Sequence, residues 1–277
     1  MRVSLFVTCL ADQFGPKAAA ASVRLLRQAG CEVDFPEAQT CCGQPAYNAG
    51  YMDDARALAV HYLNVFEKAL EHSEYVIAPS GSCGAMVHHY PELFQGDSVN
   101  LRRAWHVSKH TFEVTQFLVD KLGVTSTGAD LSGVRVAYHD SCHAMRNLGV
   151  RDQPRKLLEA AGAELLPWDE SCCGFGGLFS VKLPELSSAM MTRKLDSLET
   201  DAGAAHVMTS TDLGCLLQLG GGLGRKTGGP KVVHVAELLL EGKKLLEPVE
   251  LSNVALSNGE LSNGGLSNGG LSNTVGG

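Results

Sequence analysis

One unit is written twice in this chain of 277 residues, and no other feature limits its fold as tightly. Cys9, Cys41, Cys42 and Cys83 have counterparts in Cys142, Cys172, Cys173 and Cys215, at offsets of 133, 131, 131 and 132 residues. The flanks agree as well. Leu25-Leu26-Arg27-Gln28-Ala29-Gly30 lies over Leu157-Leu158-Glu159-Ala160-Ala161-Gly162, and Phe35-Pro36 through Cys41-Cys42-Gly43 lies over Leu166-Pro167 through Cys172-Cys173-Gly174. Offsets this constant leave room for almost no insertion or deletion, so both halves are expected to adopt one fold.

Each unit alternates short apolar runs with amphipathic stretches. Val3 to Thr8 and Val134 to Tyr138 read as buried strands. Next come helices over about Pro16 to Gln28 and Gln153 to Ala161, closed by Gly30 and Gly162. Short strands, Glu32 to Phe35 and Glu164 to Leu166, lead into the Cys-Cys-Gly loops. Helices over about Met52 to Glu71 and Pro184 to Leu198 then lead to strands Tyr75 to Ala78 and Ala205 to Thr209. The last cysteine of each unit sits where that strand turns into another helix. Such alternation predicts a parallel sheet covered on both faces, and cysteines just past strand ends would gather at its carboxyl edge, where these folds place ligands.

The expected fold class is therefore α/β: two similar lobes with parallel sheets, related by a pseudo-twofold axis, with the cysteine sites near the lobe interface. Repeat one is assigned to residues 1–125 and repeat two to 126–248. The joining segment Pro91 to Gly133 is expected to carry a long helix over Lys109 to Leu122. From Val249 the composition changes: Leu-Ser-Asn recurs at Leu251, Leu256, Leu261, Leu266 and Leu271, mostly with glycine, and 249–277 reads as a disordered tail.

Composition narrows the function. A formal charge of −7 with scattered Lys and Arg argues against nucleic acid or an anionic membrane surface. No apolar run approaches the length of a membrane helix. Met1 to Leu10 is followed by Ala11-Asp12-Gln13, which does not resemble a small-residue cleavage site, so a cytoplasmic protein is expected. There, nine cysteines point to metal or redox chemistry rather than disulfides, and the adjacent pairs Cys41-Cys42 and Cys172-Cys173 can seldom cross-link without strain.

Zinc sites usually contain Cys-x-x-Cys knuckles, and none exists here. Within a unit the gaps are 31 and 40 residues in the first copy and 29 and 41 in the second. Four cysteines per unit is the number that ligates an iron–sulfur cluster. Glycines after each pair (Gly43; Gly174, Gly176, Gly177) let backbone amides approach cluster sulfur.

With these motifs in place, Cys41-Cys42-Gly43-Gln44-Pro45-Ala46-Tyr47-Asn48-Ala49-Gly50 and Cys172-Cys173-Gly174-Phe175-Gly176-Gly177 above all, the chain resembles the cysteine-rich CCG domain family over about 1–246. In its duplicated form it is similar to the lactate utilisation branch of that family. The first CCG strand begins at Arg2, so the resemblance implies a form without the ferredoxin-like module of some relatives. It also implies iron–sulfur clusters on Cys9, Cys41, Cys42 and Cys83 and on Cys142, Cys172, Cys173 and Cys215. The family's full motif ends in Cys-x-x-Cys, a five-cysteine set associated with a non-cubane double cluster. Here Ser80 and Asp212 replace the first cysteine of that pair, so an ordinary 4Fe-4S cubane is expected in each repeat, with Ser80 and Asp212 read as helix caps ahead of oxygen ligands.

Among the remaining candidates, Cys31 aligns with Ala163 and reads as a buried structural thiol. His139 and His143, with Asp140 between them, flank Cys142 and read as polar neighbours of a cluster; copy one has Phe6 and Gln13 near these places. His88 and His89 are expected to face solvent, and Arg146, Lys182 and Arg193 are read as exposed helix charges. Gly220-Gly221-Gly222-Leu223-Gly224 lacks the lysine–hydroxyl pair of a phosphate loop and is expected to end a helix.

No flavin or nicotinamide fingerprint is present, so an electron relay is favoured over hydride chemistry. By resemblance it would be a subunit of a multi-protein oxidoreductase acting with the other lactate utilisation proteins in oxidising L-lactate to pyruvate. The alternatives are a catalytic cluster enzyme reducing a disulfide or quinone, of the kind found in the CCG-bearing component of heterodisulfide reductase, and a structural zinc protein or scaffold.

Overall fold

The computed structural model describes residues 1–225 and 228–247, and the tail expected at 249–277 lies outside them. Two four-stranded sheets are present. β1 (Arg2–Leu5), β2 (Glu32–Asp34), β3 (Tyr75–Ala78) and β4 (Thr111–Glu113) form the first, in the order β2-β1-β3-β4. β5 (Arg135–Tyr138), β6 (Glu164–Leu166), β7 (Val207–Ser210) and β8 (Lys231–His234) form the second, in the order β6-β5-β7-β8. Every pairing is parallel. Register repeats with the sequence: Val3 pairs with Val33 and Tyr75, and Val136 with Leu165 and Val207. Central strand β3 is apolar throughout and β7 is buried at every position, because both faces of each sheet are covered.

Between the sheets lies a core to which both lobes contribute. Val3, Leu25, Leu26 and Phe117 from the first half meet Val136, Leu157, Val235 and Leu239 from the second, all buried. Each such side chain contributes roughly 1.5–3 kcal/mol by leaving water. Helix Pro16–Gln28 packs on helix Val235–Glu241, and helix Asp152–Ala160 packs on the short helix Val114–Gln116. Exchanging the repeats turns one of these contacts into the other, the signature of a twofold relation. The outer faces of the two sheets hold separate cores, one around Phe6, Tyr62 and Phe66, the other around Leu195, Leu198 and Leu219.

The long helix expected over Lys109 to Leu122 does not form. Helix Ser98–Lys109 ends there, β4 follows, and a new helix starts at Val114 and continues as the π-helical turn Phe117–Lys121. Thr111, Val114, Phe117 and Leu118 have helical spacing, which explains the reading. Against it, Thr111 pairs with Val76 in the sheet, and Glu113 accepts from the N–H groups of Thr115 and Gln116 while the Gln116 side chain bonds back to the Glu113 N–H. This capping box sets a fresh helix start.

Glu113 is fully buried, its Oε1 lacks a hydrogen-bond partner, and burial pushes its carboxyl from 4.5 to about 7. A folded state that holds this proton more tightly than the unfolded chain loses stability as pH rises from about 4.5 through 7. Glu113→Gln keeps an acceptor for the cap and removes the charge. It is expected to stabilise the apoprotein by about 3 kcal/mol at pH 8 and by little at pH 4; equal effects in urea melts at both pH values would refute this.

Candidate metal centre

β1 and β3 flank the point where the strand order reverses, and the crevice beyond their carboxyl ends is the natural ligand position of an open parallel sheet. Cys9 opens helix Cys9–Phe14 just after β1, and Cys83 lies in the first turn of helix Gly81–Leu93 just after β3. In the second lobe Cys142 follows β5, and Cys215 lies in the first turn of helix Leu213–Leu223 after β7. The loops after β2 and β6 bring in Cys41, Cys42, Cys172 and Cys173. All eight line one cavity of about 320 Å³ between the lobes.

Local electrostatics favour a sulfur anion at one thiol of each lobe, Cys41 and Cys172. Helix N-termini carry partial positive charge, and those of Gly81–Leu93 and Leu213–Leu223 each hold a cysteine in the first turn. Gly43 and Gly174 adopt φ of 85° and 81°, turning their N–H groups onto Cys41 Sγ and Cys172 Sγ at 3.4 Å. Cys9 Sγ lies 3.7 Å from Cys41 Sγ, and Cys173 Sγ lies 3.0 Å from Cys215 Sγ. Donation from the thiols of Cys42 and Cys9, and then from the Gly43 amide, holds Cys41 at about 3; Cys142, Cys173 and Gly174 hold Cys172 at about 2. Their donors move the other way, with Cys9, Cys42, Cys142 and Cys173 all pushed above the ordinary thiol range. Thr8, immediately before Cys9, has φ 73°, rare for a β-branched residue.

Ser80 and Asp212, three residues ahead of Cys83 and Cys215, hydrogen-bond to each other across the lobes. Ser80 Oγ donates to Asp212 Oδ1 at 2.9 Å, and the Ser82 N–H donates to Oδ2 at 3.0 Å. The hydroxyls of Ser82 and Ser141 also donate to this carboxylate. Ser80 caps its helix, accepting from the Cys83 N–H at 3.3 Å. Asp212 makes no side-chain cap; its 2 % exposed carboxylate brackets the lobes instead.

The lobes differ around their thiols. Phe6 in the first packs edge-on against Tyr62, with ring centroids 4.9 Å apart. At the equivalent places the second has His139, after β5, and Lys194, in helix Pro184–Ala202. An imidazole nitrogen of His139 lies within 4.8 Å of the Cys173 and Cys215 thiols, both ring nitrogens lack hydrogen-bond partners, and burial, then the Lys194 ammonium, lower the ring to about 3. Lys194 is fully buried, with Nζ 3.8 Å from the Trp168 ring centroid and a hydrogen bond to the Asp169 carbonyl; burial lowers it to about 8. His143 Nδ1 lies 3.8 Å from Cys142 Sγ, and Asp140 forms a double hydrogen bond with Arg155.

Other expected positions resolve simply. Cys31 is buried in the shared core. His88 and His89 do not face solvent; they are half-buried and bonded to the Thr111 carbonyl and the Tyr47 hydroxyl. Arg146, Lys182 and Arg193 are all exposed, and Lys182 also donates to the Tyr51 hydroxyl of the other lobe at 3.0 Å. Gly220 to Gly222 lie inside the helix that Gly224 caps. Sequence reasoning missed Lys194, although its alignment with a core tyrosine marked it.

The cysteine-rich domain family CCG matches residues 3–88 and 136–220. Lactate utilization protein A 2 of Bacillus cereus (strain Q1) is 46% identical over 246 residues, covering 87% of this chain and 99% of the relative. Lactate utilization protein A of Geobacillus sp. (strain WCH70) is 47% identical over 242 residues, covering 86% and 99%. A crystal structure of a hypothetical protein from Helicobacter pylori superposes with a TM-score of 0.60 at 10% identity, over 88% of this chain and 50% of that one, and shows the fold alone. With both copies of its motif matched and near-full-length relatives at this identity, the chain belongs to the CCG cysteine-rich domain family.

Proposed function

We propose that the chain binds one 4Fe-4S cluster per lobe and serves as the electron-transfer subunit of a multi-protein oxidoreductase. Cys9, Cys41, Cys42 and Cys83 would hold the first and Cys142, Cys172, Cys173 and Cys215 the second. The observation that carries this reading is the convergence of all eight repeat cysteines, and not Cys31, on one cavity. Four soft thiolate donors per lobe suit iron–sulfur chemistry. When bound, such a group supplies one-electron redox capacity. The chain's own contribution is to hold the thiols at helix N-termini, to present glycine amides to sulfur, and to bury the site between lobes.

The relatives' name, lactate utilization protein A, supports assigning the electrons to L-lactate oxidation to pyruvate, with the other lactate utilisation proteins as partners. Among the described residues no helix is long and apolar enough to cross a membrane. The nine cysteines are all free thiols, which favours a cytoplasmic setting.

Anaerobic purification followed by iron, acid-labile sulfide and zinc analysis tests the reading. Iron and sulfide in equal amounts with a cubane EPR signal are expected, and zinc without sulfide would sink it. Cys41→Ser and Cys172→Ser should each remove about half of the iron, as expected of clusters with four cysteine ligands each. Loss of none from either variant would refute paired sites.

A further inference from the structure

Duplication gave the two sites the same cysteines, but their surroundings no longer match. Helices Met52–Ala69 and Pro184–Ala202 occupy equivalent places, each leading into the third strand of its sheet. Tyr62 of the first is buried against Phe6; Lys194 of the second is buried beside Trp168, whose ring lies 5.7 Å from that of His139. One site is therefore backed by two neutral aromatic rings, and the other by an imidazole and an ammonium group.

We infer that Lys194 and His139 make the second lobe the electron sink of the chain, giving its cluster a higher reduction potential than the cluster of the first lobe. The inference rests on the two-cluster reading proposed above. Adding an electron makes a cluster more negative, so a fixed buried cation nearby favours the reduced form, and so does an N–H donor aimed at sulfur. Both levers are present in one lobe. The Lys194 ammonium sits 3.8 Å from the centroid of the Trp168 ring, and that ring packs against the buried cluster that holds Cys173 and Cys215. It forms no ion pair with a carboxylate among the described residues; its anchor is the Asp169 carbonyl and its cover the Trp168 ring. A neutral imidazole carries one N–H, and His139, 1 % exposed and without a partner for either nitrogen, has a ring nitrogen within 4.8 Å of the Cys173 and Cys215 thiols.

Three carboxylates near the second site do not cancel this. Asp140 is neutralised by Arg155 through two hydrogen bonds. Asp212 accepts from Ser80, from the Ser82 amide and hydroxyl and from Ser141, and these donors offset its charge. Asp169 is half-exposed, where water screens it. Around the first site, Phe6, Tyr62, Phe66 and Tyr90 supply the buried wall with no cation among them.

An EPR-monitored potentiometric titration of the full chain tests the inference. The single-site variants Cys172→Ser and Cys41→Ser first report the potential of each lobe alone. The cluster of the second lobe is expected to be the easier to reduce by at least tenfold in its equilibrium constant, about 59 mV for a one-electron couple. Lys194→Met, matched in length, and His139→Phe, which installs the residue of the first lobe, should each lower the second potential and leave the first unchanged, with iron content retained. Equal potentials in the two single-site variants would overturn the inference even if both substitutions proved too disruptive to load. Potentials that differ but do not move with either substitution would overturn it too, as would a shift in the first lobe. A wild-type protein without iron and sulfide would instead bring down the two-cluster reading, and this inference with it.

Discussion

Replacing Asp212 with alanine is expected to lower the unfolding free energy of the apoprotein by about 3–4 kcal/mol, more than any neighbouring surface change. The carboxylate is buried and accepts from Ser80, from the Ser82 amide and hydroxyl, and from Ser141. Its removal strands the Ser82 N–H, which is fixed by the helix start and cannot turn to another acceptor. Ser141→Ala removes one donor and leaves the others in place, so it should cost only about 1 kcal/mol. Guanidinium melts of the two variants give the comparison. A loss below about 1 kcal/mol for Asp212→Ala would mean that the bracket contributes little to stability.

A second large effect is expected at Gly174, and the repeat supplies its control. Both Gly43 and Gly174 need positive φ, which costs an alanine about 1–2 kcal/mol. A Cβ on Gly174 would also stand 2.6 Å from the Ser187 backbone oxygen and 3.0 Å from Met190 Cβ, both fixed in helix Pro184–Ala202. On Gly43 the nearest atom is Leu58 Cβ at 3.3 Å. Gly174→Ala should therefore cost about 3 kcal/mol or more, against about 1–2 kcal/mol for Gly43→Ala. Since the Gly174 N–H faces Cys172 Sγ, that variant should also load less iron in its second lobe. Equal destabilisation by the two alanines would show that the contact with Ser187 relaxes.

The repeat made much of the architecture readable from residues alone. Strands β1, β3 and β6, the Pro16–Gln28 helix and the gathering of cysteines at one sheet edge follow from apolar runs, glycine stops and matched offsets. The outer strands β4 and β8 did not stand out. β4 is three residues long, and its Thr111 belongs equally to a helical period that runs on through Val114 to Leu118. The signal that separates them, Glu113 followed three residues later by Gln116, is a capping box with glutamate in place of the usual serine or threonine. In the site, the cysteines could be sorted by alignment alone because both copies keep them. Asp212 and Lys194 could not be understood that way, since each is present in only one copy and its partners come from distant segments. A charged residue aligned with a core aromatic, as Lys194 is with Tyr62, was nonetheless a visible mark of divergence.

The shared core between the sheets bears on how such a chain could arise. A single repeat, cut free, would leave bare the apolar face now formed by Val3, Leu25, Leu26 and Phe117. The contacts that cover it map onto each other when the repeats are exchanged, so two copies of one repeat could close the same way as a homodimer. In such a dimer any change near one site would appear in both. Joining the copies in one gene lifts that constraint, and Phe6 in one half against His139 in the other is what a fused pair can carry and an identical pair cannot.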